Sequence, residues 1–308
     1  MSRFHIDRRR FMSLAAAGAV LGSGGLPTLA AGPDMLTKPI PRTGERIPAI
    51  GMGTWITFNV GEDRRLRDAR TKVLARFFVM GGGMIDSSPM YGSSEEVVGY
   101  ALEQLSFPDT LFSATKVWTP STLHGPEQIE SARRFWGVQR FDLYQVHNLL
   151  NWEAHLETLR AEKAAGRIRY IGITTSHGMR HGGMENIMKT QDIDFVQLTY
   201  NAADREAEDR LLPLAAERGI AVICNRPYRR KQLIDFVQDH PLPAWAADAG
   251  AANWPEFLLK FIISHPAVTC TIPATSSVEH MSENMNAMRG PMPDQKMRRR
   301  MAEHVAGL

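Results

Sequence analysis

The stretch Ile85-Asp86-Ser87-Ser88-Pro89-Met90-Tyr91-Gly92 decides how the chain is read. The run Gly-Gly-Gly-Met-Ile that leads into it ends in a carboxylate, and Ser87, Ser88, Pro89 and Gly92 favour a turn over a strand. Asp86 therefore stands where a strand hands over to a loop, and Tyr91 stands on that loop. Two more polar residues close later apolar runs in the same way: Lys116 follows Leu-Phe-Ser-Ala-Thr and His147 follows Asp-Leu-Tyr-Gln-Val. Such residues meet only if the strands run parallel, with their carboxyl ends on one face.

The rest of the chain fits that arrangement. A turn at Thr43-Gly44 predicts a short hairpin, followed by a first core strand near Ile47–Gly53. Residues 64–81 place Leu66, Ala69, Val73, Leu74, Phe77 and Phe78 at helical spacing and stop at glycine, ahead of the strand at 83–86. Helices and strands then alternate: a helix from Ser94 to near Leu105, strand 111–116, helix 125–137, strand 141–147, helix 151–166 and strand 168–176. The second half continues with helix 184–190, strand 195–200, helix 204–219, strand 221–227, helix 254–265, strand 268–275 and helix 278–288. Eight units with continuous Val/Ile/Leu strands predict an α/β fold, the (β/α)8 TIM barrel, with a short amino-terminal β-hairpin and its active residues at the carboxyl face. An open doubly wound sheet would carry a G-x-G-x-x-G turn after an early strand. The sequence has none, and Gly81–Gly83 precedes its strand. Residues 229–253 read as an excursion of the loop after the seventh strand, and residues 291–308 as a basic terminal helix.

The first 30 residues differ from the remainder. His-Ile-Asp-Arg-Arg-Arg-Phe-Met-Ser-Leu-Ala-Ala-Ala-Gly-Ala-Val-Leu-Gly (5–22) puts arginines ahead of an apolar run far shorter than the roughly 20 residues a membrane-spanning helix needs. Arg8 and Arg9, then Phe11 and Met12, resemble the twin-arginine signal that exports folded proteins. Residues 1–30 are thus expected to be a signal cleaved after Ala30, with 31–308 forming one domain, exported to the periplasm or beyond by the twin-arginine translocation machinery. An uncleaved signal acting as a tether is the other reading; no stable span is expected in the mature protein. The chain has 36 basic and 33 acidic side chains. Removing Arg3, Arg8, Arg9, Arg10 and Asp7 leaves 32 of each, so bulk charge offers nothing to nucleic acid. Cys224 and Cys270 both sit in apolar runs and read as inert core thiols. No Cys/His spacing suits a metal.

Taken singly, each strand-end residue has a plain structural reading: Asp86 as a helix cap, Tyr91 as a loop aromatic, Lys116 as a solvated lysine, His147 as a satisfied core histidine. Together they share a chemical logic. A phenol with an ordinary pKa near 10 becomes a better acid beside an ammonium. A buried ammonium needs a counter-charge, which Asp86 supplies, and a neutral imidazole can donate to a substrate oxygen. The set suits proton donation to a carbonyl whose carbon takes a hydride, and the hydride must come from a cofactor.

With these residues in view, the chain from about Leu36 to Met288 resembles the aldo-keto reductases. The resemblance rests on Gly51–Trp55, the Ile85–Gly92 block, Ala-Thr-Lys-Val-Trp at 114–118, Asp-Leu-Tyr-Gln-Val-His-Asn at 142–148, Gly-Ile-Thr-Thr-Ser at 172–176, the Gln197 strand and Ile272–Asn284. It implies a (β/α)8 enzyme that reduces a small aldehyde or ketone with NADPH, NADH being possible, and with no metal. It places the catalytic four on Asp86, Tyr91, Lys116 and His147, and lines the substrate pocket with Trp55 and Trp118. For the cofactor it implies Thr174, Thr175 and Gln197 at the nicotinamide carboxamide, and Arg226, Tyr228, Arg229 and Arg230 at the ring and diphosphate, where cations suit phosphate. Surface solvation accounts for Arg229 and Arg230 as readily. Ser276, Ser277 and His280 would surround the adenosine ribose, with Glu283 and Asn284 near the adenine. Many members carry a lysine at the position of Ala274, an arginine at that of His280, and a tyrosine stacking on the nicotinamide at that of Asn225; these departures bear on cofactor choice. The export signal motivates an alternative: a nucleotide-binding or redox-sensing protein of the same fold with little turnover.

Overall fold

The structure, a computed structural model, describes residues 35–308. The twin-arginine segment and the cleavage expected after Ala30 lie outside the described residues. Thr43 and Gly44 turn a hairpin of β1 (Thr37–Pro39) and β2 (Arg46–Pro48), with Lys38 opposite Ile47 and Gly44 at φ 73°. The barrel then builds in repeating units. Its first half holds β3 (Met52–Gly53), α1 (Arg64–Val79), β4 (Met84–Asp86), α2 (Ser94–Gln104), β5 (Phe112–Val117), α3 (His124–Trp136), β6 (Phe141–Val146) and α4 (Trp152–Ala164). The second half holds β7 (Ile168–Thr174), α5 (His181–Thr190), β8 (Phe195–Thr199), α6 (Leu211–Arg218), β9 (Ala221–Asn225), α7 (Gln232–Val237), α8 (Trp254–Ile263), β10 (Cys270–Thr271) and α9 (Val278–Asn286). The terminal helix is α10 (Gln295–Ala306).

The eight strands β3 to β10 lie side by side in chain order, all parallel. A parallel bridge between Ile50 and Thr271, with Gly51 N donating to Thr271 O at 2.8 Å and Thr271 N to Ala49 O at 2.9 Å, joins the last strand to the first. Several boundaries differ from the sequence reading, and the excursion expected over 229–253 contains the short helix α7. Ile47 belongs to the hairpin, so the first barrel strand shortens to Met52–Gly53. The eighth keeps only two residues in ladder pairing. The helix expected over 204–219 divides into a 3-10 turn at Glu206–Glu208 and α6, because Pro213 has no N–H to donate to Asp209 and fits only in the first turn of a helix.

Side chains alternate between the two faces of each strand, and the inward series changes character along the strand. Met84, Phe112, Ala114, Leu143, Tyr170, Phe195, Ala221, Ile223, Cys270 and Ile272 form one buried cluster with Ile40 and Ile47 of the hairpin, which closes the amino-terminal end of the barrel. The next inward residue is Asp86 after Met84, Lys116 after Ala114, Gln145 after Leu143, Gln197 after Phe195 and Asn225 after Ile223. An apolar floor therefore carries a polar upper layer. Outward residues such as Ile85, Val117, Val146, Ile171 and Val196 pack against the helices in a second core.

Cys224 and Cys270 are free and buried, and burial pushes both thiols up. Where α2 crosses α3, Gly99 lets the backbones touch: a Cβ there would meet Phe135 O at 1.7 Å. Gly99→Ala is expected to lower the unfolding free energy by about 2 kcal/mol or more, despite the roughly 1 kcal/mol alanine gains inside a helix. Chemical denaturation of the two proteins checks this, and an unchanged or higher midpoint contradicts the packing account.

Candidate active site

Asp86 ends β4 and is 1% exposed, and Lys116, two strand positions above Ala114 on β5, is fully buried. Lys116 Nζ donates to Asp86 Oδ2 at 2.5 Å and to Ser87 O at 2.7 Å. The other carboxylate oxygen accepts from Gln197 Nε2 at 2.9 Å and Gln145 Nε2 at 3.2 Å. Burial alone lowers the lysine's proton affinity, and Asp86 opposes it. Because the pair is held by four hydrogen bonds, the cost of desolvating both charges is offset in place.

Above the pair, Pro89 to Tyr91 form one 3-10 turn. Ser88 Oγ accepts from Met90 N, Ser94 Oγ donates to Tyr91 O at 2.8 Å, and Gly92 turns at φ 62° under the side chain of Asn59. These contacts set Tyr91 over Lys116, whose Nζ lies 5.2 Å from the ring centroid. The ammonium thus faces the ring rather than bonding the hydroxyl. In consequence the phenol is held well above its ordinary pKa by burial and then by Asp86, where the sequence reading expected Lys116 to lower it.

His147 follows β6 at the same level, its ring edge-on to Tyr91 with centroids 5.7 Å apart. Its Nδ1 meets Ser88 Oγ at 2.8 Å. In the tautomer in which the Ser88 hydroxyl donates to Nδ1, Nε2 keeps its proton and is a hydrogen-bond donor. Burial, then the charge of Lys116, lowers the imidazole to about 2, so it is neutral throughout the physiological range.

Asp86, Tyr91 and His147 line a cavity of about 520 Å³. Of the residues singled out in the sequence, Trp55, Asp86, Tyr91, His147, Thr174, Thr175, Gln197, Arg226, Tyr228, Arg230, Ser276, His280, Glu283 and Asn284 line it. Lys116 lies beneath the lining. Trp118 stands apart, 39% exposed, with its backbone N–H and carbonyl both bonded to the Gln128 amide. Arg229 turns to Asp204, its Nε donating at 2.8 Å. Ser277 caps α9, accepting from His280 N and donating to Glu279 at 2.7 Å.

Asn225, at the position where a stacking tyrosine was considered, is tied by Thr199 Oγ1 at 2.7 Å and by its own donation to Thr175 O at 2.8 Å. Tyr228 is likewise committed, donating to Asn284 Oδ1 at 2.7 Å. Arg226 keeps a buried Nη1 without a partner among the described residues, and Arg230 lies over the Trp55 ring at 4.5 Å from its centroid. Gln145, Ser88 and Thr54 escaped the sequence reading. Thr54 bonds Asp86 O and Ser87 Oγ and so pins the strand end. A lone amide inside an apolar strand was the available signal for Gln145.

The chain is 29% identical over 199 residues to an aldo-keto reductase of Bacillus subtilis, a match that takes in 59% of this chain and 58% of that one. It is 23% identical over 247 residues to an NADH-specific methylglyoxal reductase of Escherichia coli, covering 68% of this chain and 72% of the relative. Its fold is similar to the crystal structure of an aldo-keto reductase from Klebsiella pneumoniae in complex with NADPH, with a TM-score of 0.73, 24% identity, and coverage of 88% of this chain and 96% of that one. The family model described as the aldo/keto reductase family matches residues 49–303, a span that contains all eight barrel strands and the Asp86, Tyr91, Lys116 and His147 constellation. By that match the chain belongs to the aldo/keto reductase family.

Proposed function

We propose that the protein is an NAD(P)H-dependent oxidoreductase that reduces a small aldehyde or ketone to an alcohol. The observation that carries this reading is the convergence of Tyr91, His147 and the buried Asp86–Lys116 pair at one cavity. Residues present in that cavity suit a nicotinamide dinucleotide. The Thr174 hydroxyl, beside Asn148, and the Gln197 amide, bonded to Asp86, lie near the acid–base groups; Thr175 lines the cavity with its hydroxyl turned to Met184 Sδ, and the cations Arg226, Arg230 and Lys231 line the same cavity. The unpartnered Arg226 Nη1 is the kind of donor a diphosphate oxygen would complete. His280, Glu283 and Asn284 would stand at the adenosine. When bound, the dinucleotide supplies a hydride.

This chain's own residues do the remainder. His147, neutral and with Nε2–H available, donates to the carbonyl oxygen and orients it. Tyr91 delivers a proton to that oxygen as negative charge develops there, and its high proton affinity keeps the phenol protonated until that charge appears. Lys116 sits within reach of the phenolate's charge afterwards, and Asp86 keeps the lysine in place. Trp55, Ile56 and Met90 wall the cavity beside Tyr91 with apolar surface that excludes water from the reacting oxygen. For localisation, residues 1–30 are read as a twin-arginine-type signal, and export of the folded protein with cofactor already bound accommodates this chemistry outside the cytoplasm.

Tyr91→Phe is expected to lower carbonyl reduction about a hundredfold or more while leaving the NADPH dissociation constant within about twofold. Steady-state rates and a fluorescence titration measure the two. Activity within a few-fold of wild type removes Tyr91 from the proton-donor role. The neutral imidazole has a stability consequence as well. Because the folded pKa of His147 lies below its ordinary 6.5, the unfolded chain takes up a proton as pH falls and the folded one does not. Its contribution is complete above 6.5 and is lost on acidification. Wild type should therefore lose about 2 kcal/mol from about pH 7 to about pH 5 that His147→Asn does not lose. Urea unfolding of both proteins at the two pH values tests it, and equal losses would show that the imidazole takes up its proton in the folded state.

A further inference from the structure

Glu95 lies in the first turn of α2, four positions after Tyr91, and its side chain is used nowhere in the chemistry described above. It is 4% exposed. Its only hydrogen-bond donors among the described residues are neutral: Thr115 Oγ1 at 2.6 Å and Trp136 Nε1 at 3.3 Å, both on Oε1. Thr115 is the residue before Lys116 on β5, so strand alternation points it to the helix side while Lys116 points into the barrel. Glu95 therefore sits directly behind Lys116, with one strand between them. The neighbouring Ser94 holds Tyr91 O. Charged and titratable groups facing this spot are the Lys116 ammonium from β5, the Tyr144 phenol from β6, Arg133 and Glu130 from α3, Glu162 from α4, and Glu96 on the same helix. The Tyr144 hydroxyl is buried without a partner, and no cation pairs with Glu95 on its own side of the sheet among the described residues.

We propose that Glu95 is a positioning residue for the Tyr91–Lys116 pair: through Thr115 it fastens the start of α2, and with it the turn bearing Tyr91, to the strand bearing Lys116, Trp136 of α3 holds the same carboxylate oxygen, and the carboxylate is a second counter-charge to Lys116. The proposal rests on the reductase reading for its role in turnover, but the coupling to Lys116 is a property of the protein alone. Burial raises the Glu95 carboxyl to about 7, with the Thr115 and Trp136 bonds and then Lys116 opposing that rise. Below that point Lys116 has Asp86 alone to offset its desolvation. Above it, two carboxylates flank the ammonium, and both favour its protonated form.

Lysine labelled with carbon-13 at the ε position gives a Lys116 signal that Lys116→Met identifies by its loss. In wild type that signal is expected to step with a midpoint of about 7, following Glu95. Glu95→Gln keeps an acceptor for Thr115 and Trp136 but has no charge, so the step should vanish and Lys116 should bind its proton about tenfold more weakly. Thr115→Val removes a bond that favours the carboxylate, so the step should persist with its midpoint moved upward. The same limb should appear in the pH profile of kcat/KM for carbonyl reduction by wild type and be absent in Glu95→Gln. A Lys116 step unchanged in both variants would overturn the proposal, since a purely structural carboxylate leaves it in place. Failure of the reductase reading would look different: no carbonyl reduction by wild type, with the Lys116 signal still following Glu95.

Discussion

A buried ammonium facing a buried carboxylate governs the upper half of this barrel. Neither Asp86 nor Lys116 could be taken out of water alone, since an unpaired charge there would cost several kcal/mol. Their contact requires β4 and β5 to be adjacent and parallel; the register pairs Asp86 with Ala114, and Lys116, the next inward position above Ala114, reaches back to the carboxylate with its long side chain. Once the pair is in place, the remaining carboxylate oxygen needs donors, and β6 and β8 supply them as Gln145 and Gln197. The polar layer is thus the consequence of one ion pair placed over an apolar floor, and the loops carrying Tyr91 and His147 are arranged on top of it.

The two sides of the cavity hold their shape differently. On the catalytic side, short side-chain bonds from Thr54, Ser88 and Ser94 brace the strand ends. On the side of the seventh barrel strand the backbone itself is bent: Arg226, Arg229 and Arg230 all have positive φ, an uncommon choice for residues with long side chains. Ile56, across the opening, sits at φ 65° inside a three-residue turn closed by Thr57 N donating to Trp55 O at 2.7 Å. Backbone strain of this kind persists where surrounding contacts over-determine it, and it collects at binding sites. Here it presents Trp55 and Arg230 to each other across the cavity mouth.

Much of this was legible in the order of residues. Asp86, Lys116 and His147 betray themselves as polar residues at the ends of apolar runs, because a parallel sheet buried on both faces leaves its strands otherwise unbroken. Tyr91 follows from the turn formers around it. Other features depend on contacts that periodicity does not encode. The pairing of Ile47 with Lys38 takes it from the barrel to the hairpin, and the last strand is short because Pro273 has no N–H to donate to the ladder, although its carbonyl still accepts from Gly53 N. Trp118 shares the parity of Lys116 yet clears the barrel rim, where Gln128 captures its backbone. The lowering of the Tyr91 phenol expected from Lys116 is absent because the ammonium meets the ring rather than the hydroxyl, and burial, then Asp86, set the shift upward. Glu95 reads in sequence as an ordinary acid in the first turn of a helix, and only packing shows that the turn is buried behind the catalytic lysine.

The central claim is that this cavity brings hydride and proton to a carbonyl. The most direct measurement mixes the protein with NADPH, or NADH, carrying deuterium at one of the two C4 positions, together with apolar aldehydes and ketones, and follows the label by NMR. The account expects alcohol labelled at the former carbonyl carbon, from one C4 position only. Saturable cofactor binding with no labelled alcohol from any of these substrates would contradict it, leaving a nucleotide-binding barrel without the chemistry.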